Sequence, residues 1–306
     1  MNNRNRLFSM ICTAAVLGNA VLAPAMTVFA ADEETEPNNS MGKAQTISVN
    51  TEITGNLTEK SDVDWFKFEI TEPGVVTLSF SSDIDKTGDA YWKAGIYDDR
   101  GNELIPVKSM YGGKNDPTLN LGLDAGTYYV RVRDRQIDFE PFTTEPYYFT
   151  VNFEASDEWE TEYNETIATA DMLTIGRPMS GTTRVHEDVD FYAFHLDEKA
   201  NVSVKFGHDR LENDSGYWMI SLVDEDGNDI DKIDALGKAF GMQEIFSEEL
   251  KAGDYYIRIT DYDDFDIGYN QSDIDYGIMV EIGASDSSNT SSDGIVRKAK
   301  HRNANF

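Results

Sequence analysis

The chain has 306 residues, enough for two domains of ordinary size. Its 26 Lys and Arg residues against 56 Asp and Glu residues give a formal net charge of −30. This charge argues against duplex nucleic acid as a partner and against a polybasic membrane-binding surface. Hydrophobic residues make up 40% and aromatic residues 11%, so the chain can build hydrophobic cores, and its composition argues against disorder throughout.

The first thirty residues are typical of a secretory signal peptide. Arg4 and Arg6 precede a mostly apolar stretch at 7–22, and small residues lie around Ala30, as a signal peptidase requires. We expect cleavage near Ala30 and a secreted protein, extracellular or associated with the cell wall. An uncleaved membrane anchor is the alternative, and no other stretch is long and apolar enough to span a bilayer.

The single cysteine, Cys12, lies inside this leader. The exported chain therefore has no disulfide, and something other than crosslinks must hold its fold. For an acidic chain outside the cell, metal ions are the natural substitute, with calcium the first candidate.

From about residue 32 the sequence repeats itself at an offset of 126 residues, which becomes 127 after one insertion. The following segments match: Glu34-Thr35-Glu36 with Glu160-Thr161-Glu162, Asp62-Val63-Asp64 with Asp188-Val189-Asp190, Tyr91-Trp92 with Tyr217-Trp218, and residues 125–129 with 252–256. Such a long shared register indicates one unit written twice. We predict two domains, at 32–155 and 156–284.

Each unit is predicted to be built from short strands. Residues 65–70, 76–80 and 202–206 alternate apolar and polar side chains, and turn sequences separate these runs. Many short strands at regular spacing predict an all-β fold of two antiparallel β-sandwiches. The pairs Tyr91-Trp92 and Tyr217-Trp218 are expected to lie in the cores or on a sheet face, with ligand stacking as the alternative. The aspartate-rich residues 261–275 are expected to form a solvated loop, with a weak cation site as the alternative. Residues 285–306 are expected to form a flexible linker and a basic tail.

Acidic residues recur at fixed spacing in both units. Glu34, Glu36 and Asn38 project to one side of an extended segment, and Asp62 and Asp64 share that spacing. Brought together, these side chains offer the carboxylate and amide oxygens that calcium prefers, whereas zinc prefers nitrogen and sulfur. We therefore predict a structural calcium site in each unit; the alternative is a solvated acidic surface. The candidate ligands are Glu34, Glu36, Asn38, Asn39, Asp62 and Asp64 in the first unit, and Glu160, Glu162, Asn164, Glu165, Asp188 and Asp190 in the second.

The same residues carry a family resemblance. The run from Glu34 to Ser40, the segment 61–66, the segment 125–130 and the closing strand at 148–153 resemble the bacterial pre-peptidase C-terminal domain. That family includes the collagen-binding domains of clostridial collagenases. The resemblance covers nearly all of each unit and implies two tandem jelly-roll-like sandwiches. It also implies that the acidic residues listed above bind calcium, and that a collagen-like target is one candidate partner.

Sequence patterns for catalysis are missing. The chain has no His-Glu-x-x-His helix, no Gly-x-Ser-x-Gly elbow and no phosphate-binding glycine loop. We therefore expect a non-catalytic protein that binds an extracellular protein, matrix or cell-wall polymer. The alternatives are an accessory partner of a secreted peptidase, and a secreted hydrolase whose catalytic carboxylates the sequence does not distinguish.

Overall fold

The structure is a computed structural model that describes residues 32–84, 90–105, 108–111, 120–135, 142–183, 188–209, 216–236, 241–264, 268–270 and 275–283. The predicted signal peptide and the predicted tail lie outside these residues. Within them, no helix combines the length and the apolar character that a bilayer crossing needs.

The predicted all-β fold is confirmed, because strands dominate and the only helical elements described are two 3-10 turns, Met41–Lys43 and Ile167–Thr169. The strands of the first repeat are β1 (Asp32–Glu33), β2 (Gln45–Thr46), β3 (Glu52–Gly55), β4 (Val63–Ile70), β5 (Gly74–Ser82), β6 (Ala90–Tyr97), β7 (Lys108–Tyr111), β8 (Leu121–Leu123), β9 (Gly126–Asp134) and β10 (Tyr147–Ala155). Those of the second are β11 (Asp171–Met172), β12 (Met179–Gly181), β13 (Val189–Leu196), β14 (Ala200–His208), β15 (Gly216–Val223), β16 (Asp229–Leu236), β17 (Gln243–Leu250), β18 (Gly253–Asp264), β19 (Gly268–Asn270) and β20 (Tyr276–Gly283).

The first repeat forms two five-stranded sheets, with strand orders β1-β3-β10-β5-β8 and β2-β4-β9-β6-β7. The second repeat forms the orders β12-β20-β14-β17 and β11-β13-β18-β15-β16, with β19 attached to β18. Most pairings are antiparallel, and short parallel pairs at β1–β3, β2–β4 and β11–β13 close the edges. Each repeat therefore builds a sandwich-like pair of sheets. Strands at equivalent positions in the two repeats occupy equivalent places in the sheets.

The alternation in the sequence explains the layering. In β4 and β5 every second side chain is buried and its neighbours face outward, which is the period of a strand with one face on a core. The buried residues form two separate hydrophobic clusters, one in each repeat. Trp92 and Trp218 are fully buried, as predicted.

A group of three packed aromatic residues, an aromatic triad, occurs in both cores. The tyrosine of each triad reaches an acidic residue. Phe80 lies 5.5 Å from Trp92 and stacks on Tyr147 at 5.5 Å between ring centroids. In the second repeat Phe206 contacts Trp218 at 5.3 Å and stacks on Tyr276 at 5.4 Å. Such ring pairs stabilise beyond the area they bury. They fix the orientation of the two tyrosines, whose hydroxyls point away from the core.

The prediction of a solvated loop at residues 261–275 is wrong at its start. Strand β18 continues to Asp264 and pairs with β19, so that Asp263 lies opposite Tyr269. Asp261 is buried at 7% exposure within this strand. The strand pairing overrides the low strand propensity of aspartate, because Asp261 pairs with Trp218 of β15 and residues 262–264 pair with β19.

Candidate metal centres

The first centre is assembled by the opening segment of the first repeat. Strand β1 pairs with β3 in parallel, and the Glu34 amide continues that pairing to the Thr54 carbonyl at 2.8 Å. Glu34 then accepts hydrogen bonds from the Asn38 side-chain amide at 2.7 Å and from the Asn56 backbone amide at 2.9 Å. The edge pairing therefore fixes the depth at which the Glu34 carboxylate lies.

Asp64 comes from the opposite sheet. It is the second residue of β4, faces inward and is fully buried. The Tyr147 hydroxyl donates to Asp64 Oδ2 at 2.6 Å, so the aromatic triad holds this carboxylate from below. Glu34, Glu36 and Asp64 each place one carboxylate oxygen within 4.8 Å of the others. Three of the six predicted ligands thus meet at one point between the two sheets.

Burial and mutual repulsion change the acidity of this cluster. Burial first, and then the neighbouring Glu34 carboxylate, raise the pKa of Asp64 to about 9. Burial also raises the pKa of Glu34 above its ordinary value. Without a cation, the cluster reduces the repulsion with the smallest cost in free energy by binding at least one proton. A divalent cation would remove it by neutralising the charge instead.

Two buried oxygens in this centre have no donor. With the carboxylates ionised, no group among the described residues donates a hydrogen bond to Asn38 Oδ1 or to Asp64 Oδ1, although both atoms are shielded from solvent. An unsatisfied buried acceptor costs about 1–3 kcal/mol and is rare in folded proteins. Both atoms are hard oxygen ligands of the kind calcium takes. This set of oxygen ligands therefore fits calcium.

Asn39 and Asp62 lie beside the cluster, and their interactions differ. Asn39 donates to Asp62 Oδ1 at 2.7 Å, and the Thr58 amide and hydroxyl both donate to Asp62 Oδ2 at 2.7 Å. Both oxygens of Asp62 are engaged in hydrogen bonds that shape the loop before β4. The structure therefore gives this pair a supporting position and does not bring it into the three-carboxylate cluster.

The second centre uses a different subset of equivalent positions. Glu162, Glu165 and Asp188 place carboxylate oxygens within 4.8 Å of one another. Of these, only Glu162 has its counterpart, Glu36, in the first cluster. Glu165 replaces the amide of Asn39 with a carboxylate, so the second repeat has one more acid with which to build its cluster.

Glu160 and Asp190 lie deeper, under two tyrosines. Glu160 is fully buried and accepts from the Thr182 amide and the Tyr192 hydroxyl, both at 2.6 Å. Tyr276 donates to Asp190 Oδ2, and its hydroxyl lies 2.8 Å from that of Tyr192. Burial raises the pKa of Glu160 to about 8, and burial with the nearby Glu160 charge raises that of Asp190 well above its ordinary value.

The orphan oxygens recur in the second centre. Asn164 Oδ1 and Asp190 Oδ1 are buried, and no donor from the described part of the chain reaches them. They are the exact counterparts of Asn38 and Asp64 at the offset of 126 residues. The same two unsatisfied acceptors at the same two positions indicate a requirement of the site rather than an accident of one loop.

Two glycines leave space for these centres, and the sequence analysis did not predict them as site residues. A Cβ on Gly55 would lie 2.5 Å from the Tyr147 hydroxyl and 2.8 Å from Glu34 Oε2. A Cβ on Gly181 would overlap Tyr192 Oη and lie 2.5 Å from Glu160 Oε2. The signal was present, because Gly55 and Gly181 keep the offset of 126, as Tyr147 and Tyr276 keep one of 129.

The segment that carries the second cluster also touches the first sandwich. The Glu162 amide donates to the Gly122 carbonyl at 3.2 Å, and Tyr163 donates to Asp98 Oδ2 at 3.0 Å. The peptides Glu36–Pro37 and Glu162–Tyr163 are both cis. Where the first repeat has Pro37, the second has Tyr163, which contacts Asp98 of the first sandwich.

One family model matches part of the second repeat. Residues 188–261 match the model of the family described as bacterial pre-peptidase C-terminal domain. This span begins at Asp188 of the second cluster and ends in β18. No curated protein matches the chain.

Several solved structures are similar to the chain at low identity. The pre-peptidase C-terminal domain of a collagenase from Bacillus anthracis is 18% identical, with a TM-score of 0.28, over 39% of this chain and 100% of that domain. A Paenibacillus xanthan lyase is 10% identical, with a TM-score of 0.26, over 71% of this chain and 22% of the lyase. Tripeptidyl peptidase 2 is 10% identical, with a TM-score of 0.27, over 75% of this chain and 22% of the peptidase.

Proposed function

We propose that this chain is a secreted, non-catalytic binding protein made of two tandem pre-peptidase C-terminal modules, each stabilised by calcium. The family match at residues 188–261 supports the module in the second repeat. The first repeat shares its sequence register and its sheet orders. Both observations support a tandem arrangement of two modules.

One observation carries the calcium proposal. The buried, donorless oxygens of Asn38 and Asp64 recur as those of Asn164 and Asp190, each beside a cluster of three carboxylates. An ion bound there would accept these oxygens as ligands and would offset the repulsion between the acids. In the first centre Glu34, Glu36 and Asp64 would contribute the charge, and in the second Glu162, Glu165 and Asp188.

The chain's own residues prepare the centres for an ion. Tyr147 and Tyr276 orient the buried aspartates, and the Thr182 amide with Tyr192 orients Glu160. Bound calcium would supply charge neutralisation and a fixed link between the opening segment and the strand after it. The role of the ion in this proposal is structural.

The test is a thermal melt of the purified protein with excess EDTA, with about 2 mM calcium and with about 2 mM magnesium. If the Kd is near 0.1 mM, about 1 mM free calcium adds about 1.4 kcal/mol for each site. We expect a calcium-selective rise of several degrees. Equal melting temperatures in EDTA and calcium would contradict the proposal.

A second candidate function follows from the family match alone. A module of this kind could serve as an accessory partner of a secreted peptidase encoded elsewhere, and a collagen-like target belongs to the same hypothesis. Capture of one defined secreted peptidase by the calcium-loaded protein, lost on chelation, would favour this role. Turnover of a peptide or polysaccharide substrate, abolished by a single carboxylate substitution, would instead favour a hydrolase.

A further inference from the structure

The outer face of the sheet β2-β4-β9-β6-β7 carries an unusual group of side chains for so acidic a chain. Six outward-facing residues from β4, β6 and β9 define what we name the cationic face: Trp65, Lys67, Lys93, Tyr129, Arg131 and Arg133. The strand register places Trp65 opposite Arg131, Lys67 opposite Tyr129, and Arg133 opposite Lys93. Four cations thus lie within three adjacent strands, about 5 Å apart between strands and about 7 Å apart along them.

The cations of this face have few partners within the molecule. The Arg131 guanidinium lies over the Trp65 ring at 5.4 Å, and Trp65 contacts Tyr129 at 6.4 Å between centroids. Arg133 donates from Nη1 to the Asp134 backbone carbonyl at 3.2 Å. No acid among the described side chains forms an ion pair with Arg131, Arg133 or Lys93. Lys67 has only the exposed Glu69, at 3.6 Å. The arrangement leaves positive charge and donors available at a surface with two ordered rings.

The second sandwich shows that the fold does not require this face. At the equivalent register positions Lys67 is replaced by Ala193, Lys93 by Met219 and Arg133 by Thr260. Arg258 keeps the position of Arg131, but it is paired with Asp229 at 2.8 Å. Three of four cations are therefore lost and the fourth is neutralised, while the strands and their pairing remain.

We propose that the cationic face of the first sandwich is a docking surface for an acidic polysaccharide that carries uronate carboxylates. This inference rests on the proposed function of an extracellular binding protein and names its partner and the repeat that holds it. Guanidinium groups pair with carboxylates in two-point contacts, and ring faces pack on the apolar faces of sugars. The face places cations beside aromatic rings. This arrangement suits a ligand whose sugar rings each carry a carboxylate.

Charge also decides between classes of partner. The net charge of −30 repels any dense polyanion at long range. A duplex nucleic acid carries one charge for about every 1.7 Å of its axis, whereas a polyuronate carries at most one for each sugar. A flexible chain of lower charge density reaches the face with less repulsion, and its short-range contacts then hold it.

The test uses the purified, calcium-loaded protein and a short oligoglucuronate, measured by calorimetry. A first variant combines Lys67→Ala, Lys93→Met and Arg133→Thr, which are the residues of the second sandwich at these positions. A control variant combines Arg177→Thr, Lys199→Ala and Lys205→Met, and it removes the same charge from surface ion pairs of the second repeat. We expect the first variant to bind at least about tenfold more weakly and the control to differ by less than about twofold.

Three results would overturn the proposal. They are an equal loss of affinity in both variants, tighter binding of polyglutamate or polyphosphate than of the oligoglucuronate, and no binding of the oligoglucuronate by the wild-type chain. An uncharged cello-oligosaccharide serves as the neutral control and should bind more weakly than the uronate. The single variants Lys93→Met and Arg133→Thr repeat the test should the triple variant fold poorly.

Calcium-dependent melting of every variant separates this proposal from the calcium proposal. A face variant that keeps the wild-type calcium response but loses the glycan supports both. A protein that binds the glycan through this face without any calcium response retains the docking surface and removes the calcium role.

Discussion

The Tyr147 hydroxyl donates to Asp64 Oδ2 at 2.6 Å, joining two residues that are 83 positions apart in the sequence. Tyr147 stacks on Phe80 within the core, and Asp64 lies in the first acidic cluster. A single side chain therefore connects the packed aromatic core to the candidate metal centre. Tyr276 makes the same connection to Asp190 in the second repeat.

The first prediction concerns Asp64→Asn and Asp190→Asn. Without an ion each aspartate either takes up a proton or keeps a charge that its neighbours repel, and an amide needs neither, so the melting temperature in EDTA should stay equal or rise. Each change also replaces a ligand carboxylate by a neutral amide, so its own module should lose most of the calcium-dependent gain of about 1.4 kcal/mol. Scanning calorimetry in EDTA and in calcium measures both effects.

The control is Asp99→Asn, at an exposed turn residue. An unchanged calcium response in both buried variants would refute the ligand assignment.

The second prediction concerns pH. The folded-state pKa of Asp64 is about 9 and that of Glu160 about 8, whereas in the unfolded chain both titrate near 4. Between these values the folded state binds more protons, so the free energy of unfolding without metal falls as pH rises. The slope is at most about 1.4 kcal/mol per pH unit for each group. Denaturant unfolding in EDTA from pH 5 to pH 9 measures it.

Calcium should flatten this pH dependence, because its ligands must be deprotonated to bind. The metal-free protein should therefore be most stable near pH 5 and the calcium-loaded protein near neutral pH. A metal-free stability that rises from pH 5 to pH 8 would contradict the assigned pKa directions.

The third prediction concerns the glycines. Gly55→Ala and Gly181→Ala introduce a Cβ into the space of the buried tyrosine hydroxyls and glutamate oxygens. Such overpacking costs about 1–3 kcal/mol, and it should displace Glu34 or Glu160 and weaken calcium binding. Gly42→Ala is the matched control, because a Cβ there meets nothing within 4 Å. Urea unfolding curves for the three variants compare these sites, and a similar midpoint for all of them would be evidence against the packing described.

The fourth prediction compares Tyr147→Phe with Tyr276→Phe. Tyr147 donates to Asp64 alone, whereas the Tyr276 hydroxyl contacts Asp190, Glu160 and Tyr192. Loss of a buried donor costs about 1–3 kcal/mol, and the larger network should lose more. We expect the lower melting temperature for Tyr276→Phe at pH 7. Equal losses would show that the second network adds nothing to a single bond.

Much of the fold was readable from the sequence for a simple reason. Side-chain alternation marks strands with one buried face, and an internal repeat places equivalent strands in equivalent sheets. The positions of Trp92, Trp218 and the strands around them follow from these two patterns. The failure at residues 261–264 has a physical cause as well, since a ladder partner outweighed the propensity of aspartate.

The candidate centres were only partly readable. The spacing of Glu34, Glu36 and Asp64 indicated oxygen-rich sites, but it gave no reason to separate Asp62 from Asp64, which alternation places on the same face. That separation depends on Thr58 and Asn39, whose hydrogen bonds engage Asp62. Thr58 lies four residues from Asp62, but Asn39 lies 23 residues away, and no local pattern in the sequence reports that second contact.

By itself the sequence determined the strand pattern, the repeat and the residue types of two oxygen-rich centres. Only the tertiary structure decided which oxygens remain without a donor, because that depends on all the groups packed around Asn38 and Asp64. It alone also assembled the cationic face, since Trp65, Lys93 and Arg131 come from three strands whose register is set by pairing. Local periodicity fixes which way a side chain points, whereas long-range pairing fixes its neighbours.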